Sequence, residues 1–359
     1  MRGERREGHG RHVRAKVATR KGPASGRVGR RDRGRGVAVE IPYELEELPF
    51  HTTTTEEPGA RARVLHIIDY GPRNVPRRDQ QRRDWRMPFT DEERAVLDEV
   101  VSEPFFVLVD TGLGGPPTRL CGIDFKRVLG TGGSPRGWLN NEPVNAYCEL
   151  VTKRSASHFA CTSGGRRKTR ESGAPEDELA LLQGGRRPTF VFSSYLCGMF
   201  FQKNYVFATH LRRWSRKMTT GVLDYGKLLF PVNIGNTHWV LAGMDMQHRR
   251  IVYLDSKRTP GTESFSNTLL EYLRNWLKDV VTDQYSKERA MSLELCEWKT
   301  VVNPPYIPEQ LDGNSCGIFL LALVDYLELG KCPDFTQADV PVLRKRAAIA
   351  LRRGALPKN

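Results

Sequence analysis

A chain of 359 residues has room for one large domain or two ordinary ones, and its net charge of +14 is spread too unevenly to describe a basic fold. Thirteen Lys/Arg against four acids lie between Met1 and Glu40, so this stretch supplies +9 of the excess and marks a tail, not a nucleic-acid-binding domain. Seven cysteines with no pair two to four residues apart disfavour a disulfide framework and a zinc finger or ribbon, and point to a reducing compartment.

Residues 1–85 are rich in Arg and Gly and poor in periodic apolar positions, and they are expected to form a disordered tail. Val64 to Ile68 is the one short strand expected there. The tail reads as a nuclear import signal, a nucleic-acid tether or a plain solvated segment, and nuclear localisation, with cytoplasm as a second site, is the expectation. The N-terminus lacks the apolar stretch of a secretory signal. The strongest apolar run, Ile318 to Val324, stops at Asp325, short of a membrane span, so a soluble intracellular chain without a membrane partner is expected.

An ordered domain is expected over 86–359. Thr90-Asp91-Glu92-Glu93 reads as an N-cap and acidic first turn of a helix running to Val101. Trp138 to Val151 is a second helix by the spacing of its apolar residues, and 152–188 reads as a mobile surface insertion of Ser, Gly, Arg and acidic residues. Thr189 to Phe201 contains a short helix, continued by Tyr205 to Trp214. Lys227 to Ile234, His238 to Met246 and Arg249 to Leu254 read as three strands joined by short polar turns. An amphipathic helix follows over Ser264 to Val281, then a brief strand over Trp298 to Val302. A strongly apolar helix runs from Ser315 to Leu329, and a basic one from Val340 to Arg353.

The chemistry sits where these elements begin and end. Cys316 opens the apolar helix, where free backbone N–H groups and the helix dipole favour a thiolate. Gly317 beside it leaves room for a backbone to approach. His238 starts a core strand, and Asp255 ends the next one, so antiparallel pairing lets Asp255 orient the second ring nitrogen of His238. Gln310 lies on the loop entering the helix, with an amide able to donate to an oxyanion beside the Cys316 N–H. Taken singly, each has a bland alternative: a buried small hydrophobe, an edge histidine, a turn aspartate, a solvent-facing glutamine. Nucleophile, base, orienter and donor together are the parts of covalent catalysis.

The arrangement resembles the Ulp/SENP group of SUMO-specific cysteine proteases, in the clan that includes the adenoviral protease. The resemblance extends from about Met87 to Leu356. Trp138-Leu-Asn-Asn-Glu-Pro-Val-Asn145 is similar to the family's Trp-Leu-Asn-Asp-Glu-x-Ile/Val-Asn, and Phe190 to Phe201 with Arg212-Arg213-Trp214 to its Phe-rich helix and Lys/Arg-Arg-Trp. Leu229 to Trp239, Tyr253-Leu-Asp255-Ser256, and Phe335-Thr336-Gln337 with Leu343-Arg-Lys-Arg346 resemble its further motifs. Asn141 and Ser315 stand where the family usually has Asp, Pro143 enters the first helical turns, and the 152–188 insertion has no recognised counterpart.

The resemblance implies an α+β papain-like fold with a helical lobe and a mixed central β-sheet. It implies Cys316 as nucleophile, His238 as base, Asp255 as its orienter and Gln310 as oxyanion donor. Trp138 and Trp239 would clamp the modifier's Gly-Gly tail, with Asn141 and Gly317 beside it. The implied reaction is cleavage after that tail by a monomer without cofactor or metal, with SUMO or a related modifier and its conjugates as partners. A deneddylase, an acyltransferase of the same clan and a catalytically silent modifier-binding module are the alternatives.

Overall fold

The computed structural model describes residues 83–102, 106–109, 117–133, 135–162, 187–201 and 205–357. The expected tail up to residue 82, its strand over Val64 to Ile68 and most of the expected insertion lie outside these residues. In chain order come helices α1 (Arg83–Arg86) and α2 (Asp91–Glu99), strands β1 (Phe106–Val109) and β2 (Thr118–Cys121), and helices α3 (Gly122–Leu129) and α4 (Asn141–Thr162). Then follow β3 (Thr189–Val191), α5 (Tyr195–Phe201), a π-helical turn (Phe207–Leu211), α6 (Arg212–Ser215), β4 (Lys227–Ile234), β5 (His238–Asp245) and β6 (Arg250–Leu254). The chain closes with α7 (Glu263–Gln284), α8 (Lys287–Met291), β7 (Lys299–Val302), α9 (Cys316–Leu329) and α10 (Val340–Arg353).

The main sheet has the order β3-β4-β5-β6-β7, antiparallel through β4, β5 and β6 and parallel at either edge. Central β5 is buried along its whole length, which is why it reads as a near-continuous apolar run. Its side chains alternate between two cores. Trp239 and Leu241 join Leu229, Val252 and Leu254 in the core under α9, while Val240, Ala242 and Met244 pack with Phe230, Tyr253 and the Leu269–Trp276 face of α7. The fold is α+β, with a helical lobe against a mixed sheet, as the resemblance implied.

Helix α9 is apolar on all sides because the lobe encloses it. Gly330 ends it in the left-handed region at φ 65°, and Lys331 N–H closes back on Tyr326 O at 2.9 Å. Thr90 caps α2 with the expected reciprocal bonds to Glu93. Residues assigned to the tail at its end are part of this body: the Trp85 indole donates to Tyr326 Oη at 2.8 Å, and its carbonyl accepts from Arg346.

Helix α4 differs most from expectation. It starts at Asn141, leaving Trp138 in the preceding loop, and it runs on to Thr162 through the start of the segment expected to be a surface insertion. Thr152, Arg154 and Ser155 are buried there, not solvated. Thr152 Oγ1 accepts from Val191 N–H at 3.0 Å and Ser155 Oγ from Thr189 N–H at 2.9 Å, so the hydroxyls of α4 cover the edge of β3. Arg154 pairs with Asp325 at 2.7 Å and with Glu328 on α9, placing an ion cluster inside the lobe. Polar residues that read as loop are here internally satisfied.

Candidate active site

Gly235 and Asn236, both at φ 55°, form a mirror-image turn closed by Thr237 N–H on Ile234 O at 3.0 Å. That turn starts β5 at His238. Register then pairs Leu241 with Leu254, so Asp255 emerges beside the first residues of β5. His238 Nε2 lies 2.7 Å from Asp255 Oδ1. The other ring nitrogen, Nδ1, is not engaged by Asp255, and Cys316 lies close enough to act on the imidazole.

Asp255 is fully buried and held from several sides. Its carboxylate accepts the N–H groups of Lys257 and Thr259 as well as His238, and its own N–H donates to Asn303 Oδ1 at 2.7 Å. Burial alone would raise the Asp255 pKa, but these hydrogen bonds bring it below the ordinary carboxylate value. Burial likewise lowers that of His238. The bond to Asp255 and Cys316 beside the ring outweigh it and push His238 up to about 9. Geometry and charge thus place a readily protonated imidazole beside Cys316, with a fixed anion behind it.

Cys316 is the first residue of α9 and is 4% exposed. Ile318 and Phe319 N–H groups bond to Ser315 O, and among the described residues no acceptor takes the Cys316 N–H. Gln310 is brought to the same place. Its backbone N–H bonds to Ser256 O at 2.7 Å, its Oε1 accepts from Ser256 Oγ at 3.2 Å, and its Nε2 donates to Asp312 O at 2.8 Å and Asp312 Oδ1 at 3.0 Å.

The expected substrate-side residues are less uniform. Partly buried Trp138 donates its indole N–H to Gly313 O at 3.1 Å, joining its loop to the turn before Cys316. Trp239 is only 3% exposed, with its N–H on Leu139 O at 2.9 Å, so its ring belongs largely to the core. Asn141 Oδ1 accepts from Ser194 Oγ at 3.0 Å, beside a small cleft lined by Tyr195, Asn233 and Asn236. Gly317 does not face open space. A Cβ there would come within 2.9 Å of the Leu139 side chain, so its smallness serves close packing of α9 against the Trp138 loop.

Asp312, Asn303 and Arg344 were missed by sequence reasoning. Asp312-Gly313-Asn314 carries turn-forming residues and reads as plain loop. Arg344, 6% exposed, donates to Arg127, Val128, Gly137 and Asn314 carbonyls and to Ser315 Oγ. Its signal was available: a cation in the apolar stripe Val340, Arg344, Ala347, Leu351. Among the described residues no cluster of three or more His, Cys, Asp and Glu side chains is arranged to hold a metal, and no helix is long and apolar enough to cross a membrane.

Comparison with known proteins gives this geometry a relation. Residues 192–354 match the Ulp1 protease family, C-terminal catalytic domain. Sentrin-specific protease 2 of Rattus norvegicus is 26% identical over 294 residues, 80% of this chain, which spans 41% of that protein's length. Putative ubiquitin-like-specific protease 1B of Arabidopsis thaliana is 24% identical over 61% of this chain and 55% of its own. Among solved structures, the C-terminal Ulp1 protease domain in complex with Smt3, the yeast ortholog of SUMO, superposes with a TM-score of 0.54 at 17% identity, covering 76% of this chain and 98% of that one. The Ulp1-like SUMO protease catalytic domain of Chaetomium thermophilum gives 0.51 at 23% identity, over 75% and 91%. The matched stretch runs from the residues before α5 through α10 and contains His238, Asp255, Gln310 and Cys316, so the part of the chain that carries these four residues is the part similar to that family's catalytic domain.

Proposed function

We propose that this chain is a cysteine protease that cleaves after the C-terminal Gly-Gly of SUMO or a closely related modifier. The observation that carries the reading is the bonding of His238 to buried Asp255, with Cys316, the first residue of a buried helix, close enough to act on the same imidazole. In the reaction, the Cys316 thiolate attacks the carbonyl carbon of the terminal glycine, and the resulting oxyanion takes hydrogen bonds from the Cys316 N–H and Gln310. The intermediate collapses, breaking the C–N bond, and the lysine or peptide amine leaves with the proton of His238. Water, deprotonated by His238, then hydrolyses the thioester. Trp138 lines the approach of the glycine tail, which only a backbone without side chains fits closely.

The test is labelling with SUMO, ubiquitin and Nedd-type proteins bearing a C-terminal electrophile, wild type against Cys316→Ala. Rapid labelling of wild type by the SUMO probe alone is expected. Faster labelling by another modifier moves the chain to that modifier, and no labelling by any makes it a silent binding module.

The state of His238 sets a pH dependence. Its pKa is raised from the ordinary 6.5 to about 9, so the stability it gains from Asp255 is complete below 6.5 and lost as pH rises through about 9. Its proton is also the one given to the leaving amine. Turnover is therefore expected to fall on the alkaline side near pH 9, and Asp255→Asn should move that limb toward neutral pH. A pH–rate profile whose alkaline limb is the same in both proteins would contradict this.

A further inference from the structure

The loop between Gln310 and Cys316 is organised around one carboxylate. Asp312 Oδ1 accepts from Gln310 Nε2 at 3.0 Å, Asn314 N–H at 3.2 Å and Ser315 N–H at 3.0 Å. Its Oδ2 accepts from Ser315 Oγ at 2.6 Å and Gln337 Nε2 at 2.9 Å. Gln337 also accepts Leu311 N–H at 3.0 Å, so both sides of the loop are tied through this residue. The buried guanidinium of Arg344 bonds Asn314 O and Ser315 Oγ and supplies the opposite charge nearby.

We propose that Asp312 is the positioning residue of the oxyanion hole, holding the Gln310 amide and the turn that presents the Cys316 N–H in one fixed relation. This rests on Gln310 as oxyanion donor. The two donors come from opposite ends of the seven-residue segment from Gln310 to Cys316, and Asp312 is the group that both ends share. In the free chain the Gln310 protons are held by Asp312. A developing oxyanion is a stronger acceptor than the Asp312 carbonyl and takes over one of them, while the carboxylate keeps the amide aimed. An amide at position 312 cannot reproduce this. With Oδ1 kept as acceptor, its NH2 would face the Gln337 NH2, and turning Gln337 would lose the bond to Leu311.

Two small reagents separate this role from a merely structural one. With p-nitrophenyl acetate, the Cys316 thiolate forms a C–S bond at the carbonyl and expels p-nitrophenolate through an oxyanion. With iodoacetamide, it displaces iodide at a saturated carbon and no oxyanion forms. Both need the same thiol and His238, and subtraction of the Cys316→Ala background removes other cysteines, such as exposed Cys296. Asp312→Ala is expected to slow acylation on the order of 10²-fold and leave alkylation within about twofold, with Asp312→Asn between it and wild type. Gln310→Ala should match Asp312→Ala, and the double variant should be no slower than either, since residues acting as a unit are non-additive.

Any result in which the two reagents move together, whether both slow or neither does, overturns the proposal. So does a double variant that loses the product of the two single losses. Intact alkylation shows at once that a variant has folded around Cys316 and His238. Neither reagent contains a modifier, so failure of the SUMO probe would overturn the substrate reading while this inference remained tested.

Discussion

Replacing Cys316 with serine is expected to lower hydrolysis of a C-terminal SUMO probe by on the order of 10⁴-fold or more. The loss follows from how the site is tuned. His238 is arranged to sit as the imidazolium, raised to about 9 by its bond to Asp255 and by Cys316 beside it. A serine hydroxyl is far less acidic, so an imidazole pre-charged by Asp255 is the wrong partner to ionise it. Its shorter C–O bond also withdraws the nucleophile from the ring. Binding should survive, because a residue only 4% exposed offers a protein partner almost no contact surface. Steady-state turnover together with equilibrium binding of the unprocessed modifier checks both halves. Retention of about a tenth of wild-type turnover would remove Cys316 from the nucleophile's role.

The same site shows what a sequence discloses and what it withholds. The strands carrying His238 and Asp255 and the helix opened by Cys316 were legible because their apolar runs are strong and end in turn residues within the short hairpin loops. Antiparallel pairing then forces Asp255 toward His238, so the contact follows from order alone. Trp138 was misplaced into a helix because its apolar neighbours extend the helical period, although the chain turns helical only at Asn141. The short hairpin β1–β2 and helix α3 passed unseen. Thr118–Cys121 is brief and carries Arg119, and Gly122 is a poor first helical residue.

The polar groups that fix the site were the least legible. Asp312, Asn303 and Thr152 are small hydrogen-bonding residues whose roles depend on what lies across the fold, at Gln337, Asp255 and Val191. No local period marks such contacts. The packing at Gly317 was hidden for the same reason: its neighbour, Leu139, is distant in the chain, and only the packed lobe shows that a side chain there would meet it.

Arg344→Met is expected to destabilise the folded chain by about 3–5 kcal/mol, the largest loss of any single arginine on α10. Arg127 and Val128 are last-turn carbonyls of α3; the Gly130 N–H reaches Arg127 O at 3.1 Å, and Arg344 Nη1 serves Arg127 O and Val128 O at 3.1 and 3.0 Å. Gly137, before Trp138, and Asn314, before Cys316, take bonds from the other nitrogen at 3.2 and 3.1 Å. Gly130 and Gly137, both at positive φ, leave the guanidinium its space, since a Cβ on either would lie 3.2–3.3 Å from it. Methionine keeps the apolar stem but strands the Val128, Gly137 and Asn314 carbonyls out of water and leaves Asp312 without its buried countercharge. Lysine, with one compact head, cannot reach both loops and should recover only part of the loss. Arg352 lies two turns further along α10 and pairs with Glu99 at 2.7 Å on the surface, where Arg352→Met should cost under about 1 kcal/mol. Urea unfolding of the three variants decides the matter: if Arg344→Met unfolds at the midpoint of wild type or of Arg352→Met, the guanidinium does not join the two loops, and the rigidity of the turn before Cys316 must come from Asp312 alone.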